Sequence, residues 1–428
     1  MKWRNILPVA LALLLLARPV PSLAADLPSA RTIDATGALE PEAALEMDGE
    51  AVLLYERNTD TLVYGRNIDV PMEPASLTKL MTCLLALEYG WYGDEITVTA
   101  SALSGMDPYG SSAGLRPGEV YTLRELLYCL MVQSANDAAL VIADYLGGSQ
   151  EAFVEMMNQR ALELGCRNTH FSNPHGLHSD DHYTTARDLA KIMLEDLKYD
   201  LFYDLYSTTV YVLEETETRQ ERTLRTTNYL ISTETTDRYY DSRVLGGKTG
   251  YTSYAGRCVC CTAAGETLSY LAVVLGASDT DAEGRDYYGS FVTASALLDH
   301  GFWDFEIAGA LVEGYTLTYP VVCGDADAEL TVYEGLEALL PAEPADRRIT
   351  TECRFFDGTL TAPVELGDQV GELEVCLDGV SLGSVSLFAA SDVAYVEPPP
   401  QPKIARGNNT PRTPGGTVLT RRMFLEAA

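Results

Sequence analysis

Positive charge is scarce in this chain: Lys and Arg total 30 against 62 Asp and Glu, a formal net charge of -32 over 428 residues. So acidic a surface repels phosphate backbones and anionic lipid headgroups, which excludes nucleic-acid binding and electrostatic docking of the main body on membranes. A spanning hydrophobic segment is also lacking. The N-terminal run Ile6 to Ala17 follows Lys2 and Arg4 and is succeeded by Arg18-Pro19 and the small residues Ala24-Ala25. It is shorter than the roughly 20 residues that cross a bilayer. Its layout is that of a signal peptide, with cleavage expected after Ala24 or Ala25.

Cysteine supplies no framework. Cys83, Cys129, Cys166, Cys258, Cys260, Cys261, Cys323, Cys353 and Cys376 are odd in number and irregularly spaced. Cys83 and Cys129 sit inside apolar runs, where a thiol packs as a small hydrophobe. In Cys258-Val259-Cys260-Cys261, strand alternation sends Cys258 and Cys260 to one face and Cys261 to the other. No second cluster at ligand spacing accompanies them, so structural thiols are expected. Histidine is rare too, with five residues, yet His170, His175, His178 and His182 lie close together. The spacing of His178 and His182 suits a zinc hydrolase, but Ser179 stands where a zincin helix carries Glu. A histidine-rich loop supporting a site is expected, with no metal and no other cofactor.

What is present is enough apolar residue, 46% of the chain, for two or three folded units. Ala51 to Tyr55 and Thr61 to Tyr64, divided by Arg57-Asn58-Thr59-Asp60, read as a hairpin. Pro74-Ala75-Ser76-Leu77-Thr78-Lys79 opens a run to Tyr89 that is apolar nearly all round, predicting a buried central helix with Ser76 in its first turn. Helices are also predicted over Leu123 to Met131 and Asp137 to Leu146. A polar stretch, Glu214 to Arg243, separates them from the apolar strands Arg257 to Ala263 and Thr267 to Gly276. Strands flanking helices indicate one sheet backed by helices, an α/β or α+β layer architecture. From about Ala308 short alternating segments, such as Gly314 to Tyr319, Gly371 to Val375 and Ser384 to Phe388, predict a small all-β domain ending near Val396. Pro398-Pro399-Pro400 opens a tail rich in Pro, Gly, Asn and Thr, expected to be disordered and too short of apolar residues to span a membrane.

Three motifs carry chemistry: Ser76-Leu77-Thr78-Lys79, Ser134-Ala135-Asn136 and Lys248-Thr249-Gly250. A serine hydroxyl needs a base, and a lysine three residues later on a helix lies on the same face one turn along. Lys79 acts as base only when neutral, which burial and a second cation, Lys248, both favour. Ser134-Ala135-Asn136 falls in a tight loop between two predicted helices. Lys248-Thr249-Gly250 precedes the strand pair, where Gly250 lets a substrate backbone approach and Lys248 and Thr249 can grip a carboxylate.

In this order the motifs match a signature shared by penicillin-binding proteins and class A β-lactamases. With Asn173-Pro174-His175-Gly176-Leu177, His182-Tyr183-Thr184-Thr185-Ala186, Gly247 to Thr252 and Thr361-Ala362-Pro363-Val364, the chain resembles the low-molecular-weight D-alanyl-D-alanine carboxypeptidases. The resemblance runs from about Gly49 to Val396. It implies an α/β (α+β) penicillin-binding/β-lactamase-like catalytic domain with an antiparallel sheet and helices, followed by a small all-β domain. The expected divisions are a signal peptide 1-24, a leader 25-48, a catalytic domain 49-307, a β domain 308-396 and a tail 397-428. It implies that Ser76 forms the acyl-enzyme, Lys79 is its base, Ser134 relays a proton to the leaving D-alanine and Asn136 holds the substrate amide. Lys248 and Thr249, helped by Arg285, are expected to bind the terminal carboxylate beside Gly250, and the backbone NH groups of Ser76 and Tyr251 to form the oxyanion hole. Tyr251 stands where some members have histidine. The implied partners are peptidoglycan stem peptides ending in D-Ala-D-Ala and β-lactam antibiotics, met outside the cytoplasm at the wall or the outer face of the cytoplasmic membrane.

Two rivals differ in chemistry. A β-lactamase shares the nucleophile but needs a carboxylate that activates water, and no Glu in a matching loop motif is apparent. A non-catalytic wall-binding protein would use the β domain and leave the three motifs without a task.

Overall fold

The computed structural model describes residues 47–397 and the two-residue strand Met423–Phe424. The expected signal peptide, most of the leader and the rest of the tail lie outside the described residues. The hairpin of β1 (Ala51–Glu56) and β2 (Thr61–Arg66) comes first, as expected. A 3₁₀ turn, Ala75–Thr78, then leads into α1 (Lys79–Tyr89). A short hairpin of β3 (Glu95–Thr97) and β4 (Val120–Thr122) delivers the chain to α2 (Leu123–Met131), α3 (Asn136–Gly147), α4 (Gln150–Glu163), α5 (Ala186–Asp196) and α6 (Asp200–Ser207).

Side-chain caps fix several helix starts. Thr122 and Glu125 form a capping box at α2, and the hydroxyls of Ser149 and Thr185 accept from backbone NH groups in the first turns of α4 and α5. A second short hairpin pairs β5 (Val210–Leu213), just ahead of the expected polar stretch, with β6 (Arg222–Arg225) inside it. The strands β7 (Val244–Thr252), β8 (Gly256–Ala264) and β9 (Ser269–Ala277) follow, and α7 (Gly289–Asp304) closes the unit.

Five strands make one antiparallel sheet in the order β2-β1-β9-β8-β7, which leaves β7 at an edge. Side-chain alternation explains why its strands are apolar throughout: both faces are covered. Leu53, Tyr55, Cys258, Cys260, Leu271 and Val273 join the core shared with α1 to α6. Val52, Leu54, Val259, Cys261, Ala272 and Val274 join a second core under α7. Cys258 and Cys260 thus face away from Cys261, as alternation requires. All of α1 from Lys79 to Leu87 is buried, so the central helix is held by packing on every side.

The β domain begins with β10 (Phe305–Leu311), which pairs with β13 (Leu336–Pro341). A six-stranded sheet orders β11 (Thr316–Tyr319), β12 (Ala328–Thr331), β16 (Val380–Ala389), β15 (Gln369–Leu377), β14 (Ile349–Phe355) and β17 (Met423–Phe424). The expected division at residue 308 falls inside β10: Phe305 packs in the α7 core, whereas Ala310 and Leu311 pack with the β-domain residues Leu373, Val375 and Leu387. The carboxylate of Asp48, the last residue of the expected leader, accepts from the NH and hydroxyl of Ser278. No helix among the described residues is long and apolar enough to cross a membrane.

Candidate active site

Ser76 sits on the 3₁₀ turn ahead of α1, not in the α-helix itself. The difference helps the geometry. In a 3₁₀ turn residues three apart eclipse one another, so Lys79 stands directly over Ser76. Lys79 Nζ donates to Ser76 Oγ at 2.8 Å, to Asn136 Oδ1 at 2.7 Å and to the carbonyl of His175 at 2.7 Å.

Two glycines permit this turn. Gly176 has φ +90°, and a β-carbon there would lie 1.8 Å from the carbonyl oxygen of Ala75. At Gly250 a β-carbon would come within 3.1 Å of Ser76 N. Ala75 itself is left-handed at φ 46°. Its carbonyl accepts from Thr78 Oγ1 at 2.8 Å, and Thr78 Oγ1 lies 2.8 Å from His182 Nε2. The NH of Ser172 donates to His182 Nδ1 at 2.9 Å, so Nε2 carries the hydrogen and donates to Thr78. Burial holds the His182 imidazole neutral by pushing its pKa down to about 4, and burial and the neighbouring Lys79 push that of His175 down to about 3.

Ser134 occupies the loop between α2 and α3 with φ 58°. A non-glycine residue pays of order 1–3 kcal/mol for such a conformation, and here it aims the hydroxyl inward. Lys248 Nζ donates to Ser134 Oγ at 2.7 Å and to the carbonyl of Thr249 at 2.8 Å. The loop is pinned by the next residue but two, the buried Asp137, whose carboxylate accepts from Ser112 Oγ and from the NH groups of Ala113 and Leu115. Both lysines are buried. Burial first, and Lys248 second, drive the Lys79 amine well below the ordinary lysine range, while Asp137 opposes them. Burial alone takes Lys248 down to about 7.

The structure therefore brings together Ser76, Lys79, Ser134, Asn136, Lys248, Thr249 and Gly250. The Lys-Thr-Gly motif lies within edge strand β7 and not ahead of a strand pair. Ser76, Ser134, Thr249, Gly250, Tyr251, Arg257, Tyr288 and Phe291 are among the residues lining a cleft of about 270 Å³. The Tyr251 side chain turns away from Ser76, its hydroxyl donating to Asp279 Oδ2 at 2.7 Å. Arg285 is not brought to the cleft. It lies on an exposed turn, paired with Asp281 and Glu283, and the guanidinium lining the cleft belongs to Arg257.

Sequence reasoning missed Asp137, Thr227, Arg257 and the carbonyl of His175. Thr227 Oγ1 lies 2.5 Å from Thr249 Oγ1. The histidines form no common cluster: His178 Nδ1 meets Glu73 and His170 Nδ1 meets the carbonyl of Asp181. Among the described residues no group of three or more His, Cys, Asp or Glu is placed to hold a metal.

A family model for D-alanyl-D-alanine carboxypeptidases matches residues 37–279. The chain belongs to the D-alanyl-D-alanine carboxypeptidase family. Its match starts inside the segment expected as a leader, and residues 313–395 match the C-terminal domain of penicillin-binding protein 5. The chain is 31% identical to D-alanyl-D-alanine carboxypeptidase DacF of Bacillus subtilis over 82% of its own length and 87% of that protein. With D-alanyl-D-alanine carboxypeptidase DacA of Escherichia coli it shares 29% identity over 81% and 84%. The solved structure of penicillin-binding protein 5 from Haemophilus influenzae superposes with a TM-score of 0.61 at 27% identity, covering 83% of this chain and all of that one. This family member is a serine peptidase, with a penicillin-binding-type catalytic unit and an all-β domain after it.

Proposed function

We propose that the chain removes the terminal D-alanine from peptidoglycan stem peptides through an acyl-enzyme on Ser76. The observation that carries this reading is the lysine-bridged site, with Lys79 on Ser76 and Lys248 on Ser134. When Lys79 loses a proton, its two remaining hydrogens stay with Asn136 Oδ1 and the His175 carbonyl, neither of which can donate in return. The lone pair is then left facing Ser76. Lys79 takes the hydroxyl proton as Oγ bonds to the carbonyl carbon of the penultimate D-alanine, and the NH groups of Ser76 and Tyr251 receive the oxyanion. The C–N bond breaks as the leaving amine takes a proton from Ser134 Oγ, which Lys248 replenishes. The proton that Lys79 took passes on to restore Lys248, which leaves Lys79 neutral; water then cleaves the ester, Lys79 taking its proton and returning it to Ser76 Oγ, with Asn136 positioning the acyl chain. Penicillins acylate the same oxygen.

The β-lactamase reading is disfavoured because no Asp or Glu is among the described residues lining the cleft, and a β-lactamase needs a carboxylate there to activate water quickly. A non-catalytic wall protein has no use for two buried lysines, each donating to a serine hydroxyl. The signal-peptide layout supports export and action outside the cytoplasm.

Mass spectrometry of the secreted protein tests these points together. The expected chain starts after Ala24 or Ala25 and gains the mass of one intact penicillin on Ser76 for minutes or longer. Rapid loss of that adduct favours the β-lactamase, and adduct on Ser76→Ala protein refutes the nucleophile.

A further inference from the structure

His178 stands close to the nucleophile turn, and the acyl-transfer scheme leaves it without a task. It ends the loop Asn173 to His178 that straps the Ala75–Thr78 turn, with the His175 carbonyl on Lys79 and Gly176 against Ala75. Its Nδ1 donates to Glu73 Oε1 at 2.7 Å. Its ring stacks on that of Tyr254, with centroids 4.0 Å apart and planes 7° from parallel. Asp180 Oδ1, fully exposed, lies 3.6 Å from Nε2. Folding does not explain the arrangement. The side chains of His178 and Glu73 are 34% and 25% exposed and Tyr254 is 70% exposed, and a solvated ion pair of this kind contributes little to stability.

The two outer members give the contact its meaning. Glu73 lies three residues before Ser76, and Tyr254 three residues after Tyr251, the two residues whose NH groups receive the oxyanion in the scheme above. Both arms are stiff. On the first, Met72 and Thr184 exchange backbone hydrogen bonds of 2.7 and 2.9 Å, Pro74 fixes its own φ at −78°, and the NH of Leu77 donates to the Pro74 carbonyl. On the second, β7 ends at Thr252 and β8 begins at Gly256, and the NH of Ala255 closes the turn between them by donating to Thr252 Oγ1 at 2.9 Å. The arms meet again beside the nucleophile, where a β-carbon on Gly250 would come within 3.0 Å of the Pro74 carbonyl oxygen and 3.1 Å of Ser76 N. His178 thus closes a ring of contacts, and a change in the distance from Glu73 to Tyr254 passes to the gap between the two NH groups.

We propose that Glu73, His178 and Tyr254 are positioning residues that clamp the two arms and set the width of the oxyanion hole. This rests on the carboxypeptidase reading above and deepens it. Donors held in place lower the barrier wherever negative charge develops on the carbonyl oxygen, so the clamp acts on formation and on hydrolysis of the acyl-enzyme alike.

Stopped-flow acylation of the full-length protein over a range of labelled penicillin concentrations separates drug binding from the acylation rate constant, and decay of the adduct gives the deacylation rate constant. His178→Ala and Tyr254→Ala are each expected to lose about 10- to 100-fold in both rate constants, with binding unchanged. Tyr254→Phe keeps the stacked ring and most of the rate. In the double variant Glu73→Ala with Tyr254→Ala the losses fall short of the product of the single losses, because either change alone already opens the ring. Tyr254→Ala carries the test should His178→Ala unfold, since the tyrosine is mostly exposed. Wild-type rate constants in both single variants, a loss confined to binding, an equal loss in Tyr254→Phe, or fully multiplicative losses in the double variant overturn the proposal. A wild-type protein that penicillin does not acylate refutes the carboxypeptidase reading itself. An acylated wild type whose clamp variants behave alike refutes only this inference.

Discussion

Lys79 shows how much of the chemistry depends on one proton. A buried amine between two hydrogen-bond acceptors and a second lysine is disposed to be neutral, which is the state that can activate a hydroxyl. Its lowered pKa shifts the loss of acylation on acidification to lower pH than an ordinary lysine would give, because falling pH restores the charge. Lys79→Arg tests this directly, because a guanidinium keeps the hydrogen bonds but does not deprotonate. Acylation by a labelled penicillin is expected to fall about 10³-fold. A variant that acylates at the wild-type rate shows that another group is the base. At this scale the sequence was most informative: the Ser-x-x-Lys spacing, the second lysine and the loop serine all converge as read. The place of Arg257 in the cleft was not legible, because it follows from strand register with Tyr251 and from the ring of Tyr288 some thirty residues on.

The elements explain which readings held and which shifted. α1 was recognisable because its residues are apolar on every side, and α2 because an apolar run follows Thr122 and Glu125. β7 was harder to see. Gly246, Gly247 and Gly250 dilute its strand propensity, and each is there because a neighbour comes too close for a side chain, such as Tyr206 at Gly246 and Cys261 at Gly247. The 3₁₀ turn at Ser76 was hidden for the same reason: a contact with Gly176, a hundred residues away in sequence, shapes it. Replacing Gly176 by Ala therefore strains both its own backbone and the Ala75–Thr78 turn. The variant is expected to lose about 2–4 kcal/mol of stability and at least tenfold in acylation rate. Thermal unfolding and stopped-flow acylation measure the two effects, and wild-type acylation disproves the steric argument.

For the molecule as a whole, stability and pH are linked through groups remote from the cleft. Asp196, at the end of α5, is fully buried and neither carboxyl oxygen has a hydrogen-bond partner. Burial raises its pKa well above the usual range, with Glu88 and Glu195 adding to the effect. The folded chain therefore holds a proton that the unfolded chain releases. Stability is greatest below the unfolded carboxyl pKa and falls by up to about 1.4 kcal/mol per pH unit as pH rises toward the folded value. His175 and His182 act in the opposite sense, because their depressed pKa values remove stability as pH falls below the ordinary histidine range. Asp196→Asn is expected to raise the neutral-pH melting temperature and to flatten its decline toward alkaline pH. Denaturant unfolding at several pH values checks this, and an unchanged slope dismisses Asp196 as the source.

The strand β10 sets the reach of the enzyme. Its first residue is rooted under α7 and its last in the β-domain core, with ladder pairing to β13 between. Swinging one half against the other means breaking the pairing of that strand, so the distance from the nucleophile to the far end of the β domain is a fixed standoff.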